Sequence, residues 1–289
     1  MEVRPWEWMV KPTPQKEWIY RKGLLLWLAF FAIELGAGMY FVAFFLDNLW
    51  AMFIGWLICL VVGGGAHLVY LGKPLRFWRA VISKGWKTSW ISRGLYFIGL
   101  FTVIGAIHLG LYELGWAGVA YGLGIAMAVI STLVTIYGGF AICYVTAIPL
   151  WNTALIPVLF VVCSFWGGAE LAFATRIGDA AAEGWIQILM PGYMFLLIVY
   201  MWTVRHGTAA GKHSIAQMLR GPMSPLFYLG VVAIGILLPL SAIIYNLTGP
   251  APMPLIAAAI AGGLIGDLSM RYCILRCGYY APLLPSSSY

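Results

Sequence analysis

The chain has 289 residues, 62% of them hydrophobic and 9% charged, and its 17 Lys and Arg outweigh ten Asp and Glu for a formal net charge of +7. A soluble domain carries about 25% Asp, Glu, Lys and Arg, so this chain has too little polar surface to cover a water-facing globule and must turn most of its surface to lipid. Composition thus excludes a soluble single-core protein, and the basic excess has to be read from where the charges sit rather than as affinity for nucleic acid.

Residues 1–23 hold three acids, two prolines within KPTP and no apolar run. They read as a surface segment rather than a signal peptide, with the first membrane helix directing insertion. A membrane helix needs about 20 apolar residues, and eight stretches qualify: 24–46, 49–72, 92–112, 116–141, 150–174, 187–206, 225–247 and 254–276. The expected fold is therefore all-α and polytopic, with a membrane domain over 24–276 between the segment 1–23 and a tail at 277–289. The sizeable loops are 73–91 and 207–224, and Trp27, Trp50, Trp90, Trp116, Trp151, Trp185 and Trp202 fall near helix ends, where such rings prefer the headgroup layer.

Eight spans put both termini on one face, together with the loops after helices two, four and six. That face gathers 16 of the Lys and Arg, from the N-terminal segment, the stretch from Lys73 to Arg93, the stretch from Arg205 to Arg220, and Arg271 and Arg276; only Arg176 lies opposite, beside Asp47, Glu113, Asp179 and Glu183. By the positive-inside rule the basic face and both termini are cytoplasmic, although a basic face is equally a docking surface for an acidic partner. His67 and His108 lie about 24 Å apart along the membrane normal at 1.5 Å per residue and cannot share a haem iron, while His206 and His213 fall at a helix end and in a loop. The five cysteines form no CxxC pair and read as small core hydrophobes. A chain without haem, clustered thiols or a nucleotide fingerprint carries no electron cofactor of its own.

Charged residues at membrane depth are costly and face an interior or a cavity. Glu34 lies near the midplane of helix one in the small-residue run ELGAG, Asp267 lies at similar depth in helix eight with Arg271 four residues on, and Glu170 approaches the acidic end one and a half turns before Arg176. Two readings stand. One is static: ion pairs Asp267–Arg271 and Glu170–Arg176 beside a protonated, hydrogen-bonded Glu34. The other is a proton route through Glu34, Asp267, Glu170, Arg176 and Glu113. The glycine clusters at 63–65 and 138–139 admit close helix packing or room for a flat ring. A quinone headgroup needs hydrogen-bond donors and a proton source, and His67, Tyr137 and Arg93 all come from helix ends on the basic face.

The stretch HLVYLGKPLRFWRA (67–80) and the SWISRG that opens helix three (89–94), with YGGF (137–140), IPLWN (148–152) and the segment 157–160, resemble the NrfD/PsrC family, membrane subunits of polysulfide-reductase-type complexes. The resemblance spans about 24–276. It implies eight transmembrane helices in two four-helix bundles, without haem, binding a quinone (menaquinone or ubiquinone) beside a four-cluster iron–sulfur subunit that partners a molybdopterin or tungstopterin catalytic subunit. It also implies the inner membrane of a prokaryotic cell. Tyr137 stands where that family's quinone-contacting tyrosine is expected; His67, Ser92 and Arg93 match motif positions, and geometry assigns them to the same quinone. Helix one departs from the pattern by offering Glu34 near the pocket. The loop cations Lys73, Arg76, Arg79, Lys84 and Lys87 are the expected partner-docking surface. Exported reductases of this family face the periplasm, so either the partner here is cytoplasmic or the basic loop reports docking rather than orientation. The rival reading is a secondary solute transporter, for which eight helices and buried acids also serve; Pro239 reads as the one clear mid-span proline, with no counterpart in helix three.

Overall fold

In lipid every backbone polar group must find its partner within the protein, and the apolar stretches do so as helices. The computed structural model describes residues 7–79 and 84–284. Its spans are α1 (Gly23–Phe45), α2 (Leu49–Tyr70), α3 (Trp90–Glu113), α4 (Ala117–Cys143), α5 (Leu155–Thr175), α6 (Ala180–Gly207), α7 (Leu226–Asn246) and α8 (Met253–Arg276). The protein is an all-α polytopic membrane protein, and the strands among the described residues are the two-residue β1 (Thr13–Pro14) and β2 (Tyr279–Tyr280).

Several boundaries move from their expected places for local reasons. Helix α6 starts at Ala180 rather than near 187, because the Asp179 side chain accepts from the backbone N–H of Ala181 and Ala182 at 3.0 and 3.2 Å, with Glu183 in the first turn. Such a polar first turn satisfies orphan N–H groups and is invisible to a hydropathy window. The longer α6 places Pro191 inside the helix, so Pro239 is not the sole mid-span proline. Helix α5 starts at Leu155 rather than 150: the preceding turn buries Trp151, whose indole N–H donates to the Ile274 carbonyl at 2.8 Å. The loop 207–224 contains a helix, Ala209–Leu219, capped by the Thr208 hydroxyl on the N–H of Gly211. Helices α2 and α7 widen to π geometry over Ile58–Gly64 and Leu226–Leu237, a feature often found beside functional sites.

Helices α1 and α5 are the most buried, and α3 and α6 among the least. The α1–α5 seam is close because a methyl at Gly38 would overlap the Ser164 carbonyl and one at Gly168 the Met39 amide. One hydrophobic cluster comes largely from α1–α4, with Met39, Phe101 and Met127; the other comes largely from α5–α8, with Trp166, Tyr193 and Met270. Val103, Ile107, Ile188, Phe195 and Ile198 stay exposed on α3 and α6, as a lipid-facing surface requires. The terminal segments meet on the basic face. β1 and β2 pair antiparallel, the buried Gln15 side chain donates to the Leu275 carbonyl at 2.5 Å, and Trp18 packs edge-on against Trp151.

Candidate functional site

The basic end of the first four helices brings together two residues 70 positions apart. The turn after the π segment of α2 carries His67, and the last third of α4 carries Tyr137; His67 Nε2 and the Tyr137 hydroxyl lie 2.9 Å apart. Phe30 of α1 contacts both rings, at centroid distances of 5.6 Å to His67 and 5.8 Å to Tyr137. Gly94 of α3 supplies the remaining wall, since a methyl there would overlap the Tyr137 ring. Tyr137 is 1% exposed, and His67 Nδ1 is buried with no hydrogen-bond partner among the described residues. A histidine–tyrosine pair with one internal hydrogen bond always leaves one donor and one acceptor unspent, and a buried polar atom without a partner is costly. The pair is therefore chemically incomplete and suited to a ligand oxygen.

Next to Tyr137 the site continues inward. A methyl at Gly138 would overlap the Glu34 carboxylate, so that carboxylate abuts α4 one residue past the tyrosine. Glu34 Oε2 accepts from Arg271 Nη1 at 2.6 Å, and Arg271 Nε donates to Asp267 Oδ1 at 2.9 Å. The guanidinium also donates to the Ser164 hydroxyl at 3.3 Å and to Cys163 Sγ at 3.2 Å, and it stacks over Phe160 at 4.2 Å. All three charged residues are buried. Two carboxylates share one guanidinium, so the cluster carries an unmatched negative charge unless one carboxyl holds a proton.

Two expectations about these charges need correction. Arg271 belongs to this interior cluster rather than to the basic face. The expected Glu170–Arg176 ion pair is not formed: Arg176 instead donates to the carbonyls of Leu46 and Asp47 at 3.4 and 3.3 Å and pairs with Asp179 at 3.4 Å. A helix-end arginine reaches the last carbonyls of a neighbouring helix and the water beyond more cheaply than a buried acid. Glu170 is 2% exposed with Oε2 unpartnered among the described residues, at the inner wall of a cleft that also touches Glu183, Gln187 and Asn246. Glu113 is exposed at the end of α3.

Ser92 is buried near the start of α3, while Arg93 turns toward the loop: its guanidinium donates to the carbonyls of Trp86 and Lys87 at 2.9 and 2.8 Å and lies over Trp90 at 4.5 Å. Lys73, Arg76, Arg79 and Lys87 are exposed among Leu75, Phe77, Trp78 and Trp86; the Lys84 side chain lies outside the described residues. Cys163 and Ser164 on α5 are partners of Arg271 that sequence reasoning misses, because nothing in their own neighbourhood signals a cation arriving from a helix more than a hundred residues away. Among the described residues no group of three or more His, Cys, Asp and Glu is arranged to hold a metal.

Comparison with known proteins agrees with this architecture. The sequence is 22% identical over 251 residues to the C chain of polysulfide reductase from Wolinella succinogenes, covering 76% of this protein and 78% of that one. It is 25% identical over 261 residues to protein NrfD of Escherichia coli strain K12, covering 76% of this protein and 81% of that one. The family described as polysulphide reductase, NrfD, matches residues 17–282. With eight membrane helices and a family match over nearly its whole length, the chain belongs to the polysulphide reductase NrfD family of membrane subunits.

Proposed function

We propose that the chain is the quinone-reactive membrane subunit of a multi-subunit oxidoreductase, and that the His67–Tyr137 pair holds the quinone or quinol headgroup. The observation that carries this reading is the buried, unpartnered His67 Nδ1 beside a tyrosine hydroxyl 2.9 Å from the other ring nitrogen: the pair has one donor for a quinone carbonyl and one acceptor for a quinol hydroxyl. Ser92 and Gly94 close the pocket from α3, and Arg93 holds the adjoining loop. Electrons are exchanged with a four-cluster iron–sulfur subunit docked on the exposed loop cations Lys73, Arg76, Arg79 and Lys87, and that subunit passes them to or from a molybdopterin or tungstopterin catalytic subunit. The chain itself is not the catalytic subunit.

Quinone reduction takes up two protons and quinol oxidation releases two, so a pocket covered by a docked subunit requires a proton path. In this reading Glu34 exchanges protons with the pocket, the Arg271-linked Asp267 continues inward, and Glu170 opens toward the acidic face, where Arg176 and Glu113 stand. The location is a prokaryotic inner membrane with the termini and the partner cytoplasmic, in keeping with the 16-to-one distribution of Lys and Arg read from the sequence; moving Arg271 to the interior leaves that asymmetry intact.

The test is purification of the tagged chain from its native membrane. Co-purification of an iron–sulfur protein and a pterin enzyme, with iron and Mo or W in the sample, supports the reading. A second reading, solute transport, draws on the interruptions of α2 by its π segment and of α6 by Pro191. A metal-free homo-oligomer active in vesicle uptake would favour it.

A further inference from the structure

The interior of the last four helices keeps two polar atoms unspent. The Tyr193 side chain on α6 is 1% exposed and its hydroxyl has no hydrogen-bond partner among the described residues, a condition it shares with Glu170 Oε2 on α5. Both groups lie within reach of the Asp267 charge on α8. The Glu170 carboxylate packs against α8 at Gly263, where a methyl would overlap it. Asp267 stands four residues on, about 6 Å along the same helical face at 1.5 Å per residue. That separation is too long for one hydrogen bond of about 2.8 Å and calls for a donor–acceptor group in between.

The aromatic pair beside the gap supplies two different groups. Trp166, one turn before Glu170 on α5, presents its indole N–H to that carboxylate, and its ring meets the Tyr193 ring at a centroid distance of 5.2 Å. An indole only donates, and a carboxylate has acceptor sites left after one such contact, whereas a phenol both donates and accepts. Trp166 therefore orients Glu170, while Tyr193 has the chemistry to pass a proton on. Glu170 is also the inner wall of the acidic-face cleft, whose volume is about 70 Å³. Sites for solutes or rings begin at roughly 300 Å³, but one water needs only about 10–15 Å³. Glu183, Gln187 and Asn246 give such waters polar partners along the cleft.

We propose that Tyr193 relays protons between Asp267 and Glu170, and that the acidic-face cleft is the aqueous inlet serving Glu170. The inference rests on, and deepens, the reading of a proton path to a quinone pocket. Water in the cleft exchanges protons with Glu170. The Tyr193 hydroxyl, joined to the Asp267 side through water, releases its hydrogen to one neighbour as it receives one from the other, so it ends neutral and no electron moves. A hydroxyl without a partner is costly in a membrane interior, and the same water removes that cost.

The experiment has two arms, both on the whole complex in nanodiscs. Brief X-ray irradiation turns internal water into hydroxyl radicals that oxidise adjacent side chains, read by peptide mass spectrometry. Phe173, buried at the cleft, and Tyr193 should be oxidised, while Phe101, buried in the core of the first four helices, should not. In the second arm Tyr193→Phe keeps the ring against Trp166 and removes only the hydroxyl. With subunit composition intact, quinol-linked turnover should fall several-fold and its solvent deuterium isotope effect should rise, a change that a tyrosine serving packing alone would not produce. An unoxidised Phe173 overturns the inlet. An unoxidised Tyr193, or a wild-type rate and isotope effect in Tyr193→Phe, overturns the relay; quinol-linked turnover of the wild-type complex then leaves the quinone reading standing. A wild-type complex without quinol-linked turnover overturns that reading and the relay together.

Discussion

Replacing Arg271 with Met removes the guanidinium while keeping an unbranched side chain to lie against Phe160. In the folded protein that guanidinium sits 2.6 Å from Glu34, 2.9 Å from Asp267, 3.3 Å from Ser164 and 3.2 Å from Cys163. Both acids are at most 5% exposed, so neither recovers its lost partner from bulk water. Breaking a buried ion pair from one side costs about 3–5 kcal/mol, because the remaining charge stays buried and uncompensated. Here two acids lose one shared partner, so Arg271→Met is expected to lose at least that, or to fold only with its carboxyls protonated. Neutralising the whole cluster is different: Arg271→Met with Glu34→Gln and Asp267→Asn leaves no buried charge, and replacing a complete buried ion group by neutral residues is often nearly neutral for stability. The assay is thermal inactivation of the assembled complex in detergent, read as half-life at fixed temperature, with tryptophan fluorescence and gel filtration reporting integrity. The single variant should be much less stable than wild type and the triple variant should recover most of the loss. A single variant as stable as wild type, or a triple variant no better than the single, would refute the account of these residues as one charge cluster.

Other expectations follow from neighbouring contacts. Glu34→Gln keeps an acceptor for Arg271 and should change stability by under about 1 kcal/mol, yet it should lower the membrane potential generated per quinone turned over in proteoliposomes; an unchanged potential would remove Glu34 from the proton path. Gly94→Ala inserts a methyl into the Tyr137 ring and should cost about 1–3 kcal/mol through overpacking, with quinone turnover falling as the hydrogen bond to His67 is disturbed. Kinetics equal to wild type would show that the ring yields without moving its hydroxyl. Converting Lys73, Arg76, Arg79 and Lys87 to Glu should weaken binding of the iron–sulfur subunit and reverse the salt dependence of that binding, because salt then screens a repulsion, measured by co-purification at low and high salt; retention of the partner at both would remove the loop from the docking surface.

What the sequence discloses follows from which signals are local. Span number is legible because a run of about 20 apolar residues is a one-dimensional pattern. The start of α6 is hidden because its first turn, AAAEGW, lies below any hydropathy threshold; the Asp179 and Glu183 spacing is the local signal that marks it. His67 and Tyr137 are individually visible as polar residues at helix ends, and the structure adds their mutual hydrogen bond. The partner of Arg271 is half legible: Asp267 is one helical turn away on the same helix, whereas Glu34 lies 237 positions upstream and only packing of α1 against α8 joins them. Arg176 is mispaired by sequence reasoning for a related cause: its backbone acceptors, the carbonyls of Leu46 and Asp47, follow the end of α1, and its carboxylate partner is the local Asp179 rather than Glu170. The buried hydrogen bond between Tyr40 and His108 is invisible in one dimension because each residue alone sits in an ordinary apolar stretch.

The central claim is that a quinone reacts at the His67–Tyr137 pair, and Tyr137→Phe tests it most directly. The change removes one buried hydroxyl and almost no volume, leaving His67 Nε2 without its 2.9 Å partner. Such a bond is worth about 0.5–1.5 kcal/mol, and more where charge develops on a reacting oxygen in a water-excluded site. The measurement is quinol-linked turnover of the assembled variant complex, with the catalytic subunit's activity toward an artificial electron donor as the control. A loss between several-fold and roughly a hundredfold in quinol-linked turnover, with subunit composition and donor-linked activity intact, is the predicted result. Wild-type quinol kinetics in a fully assembled Tyr137→Phe complex would contradict it.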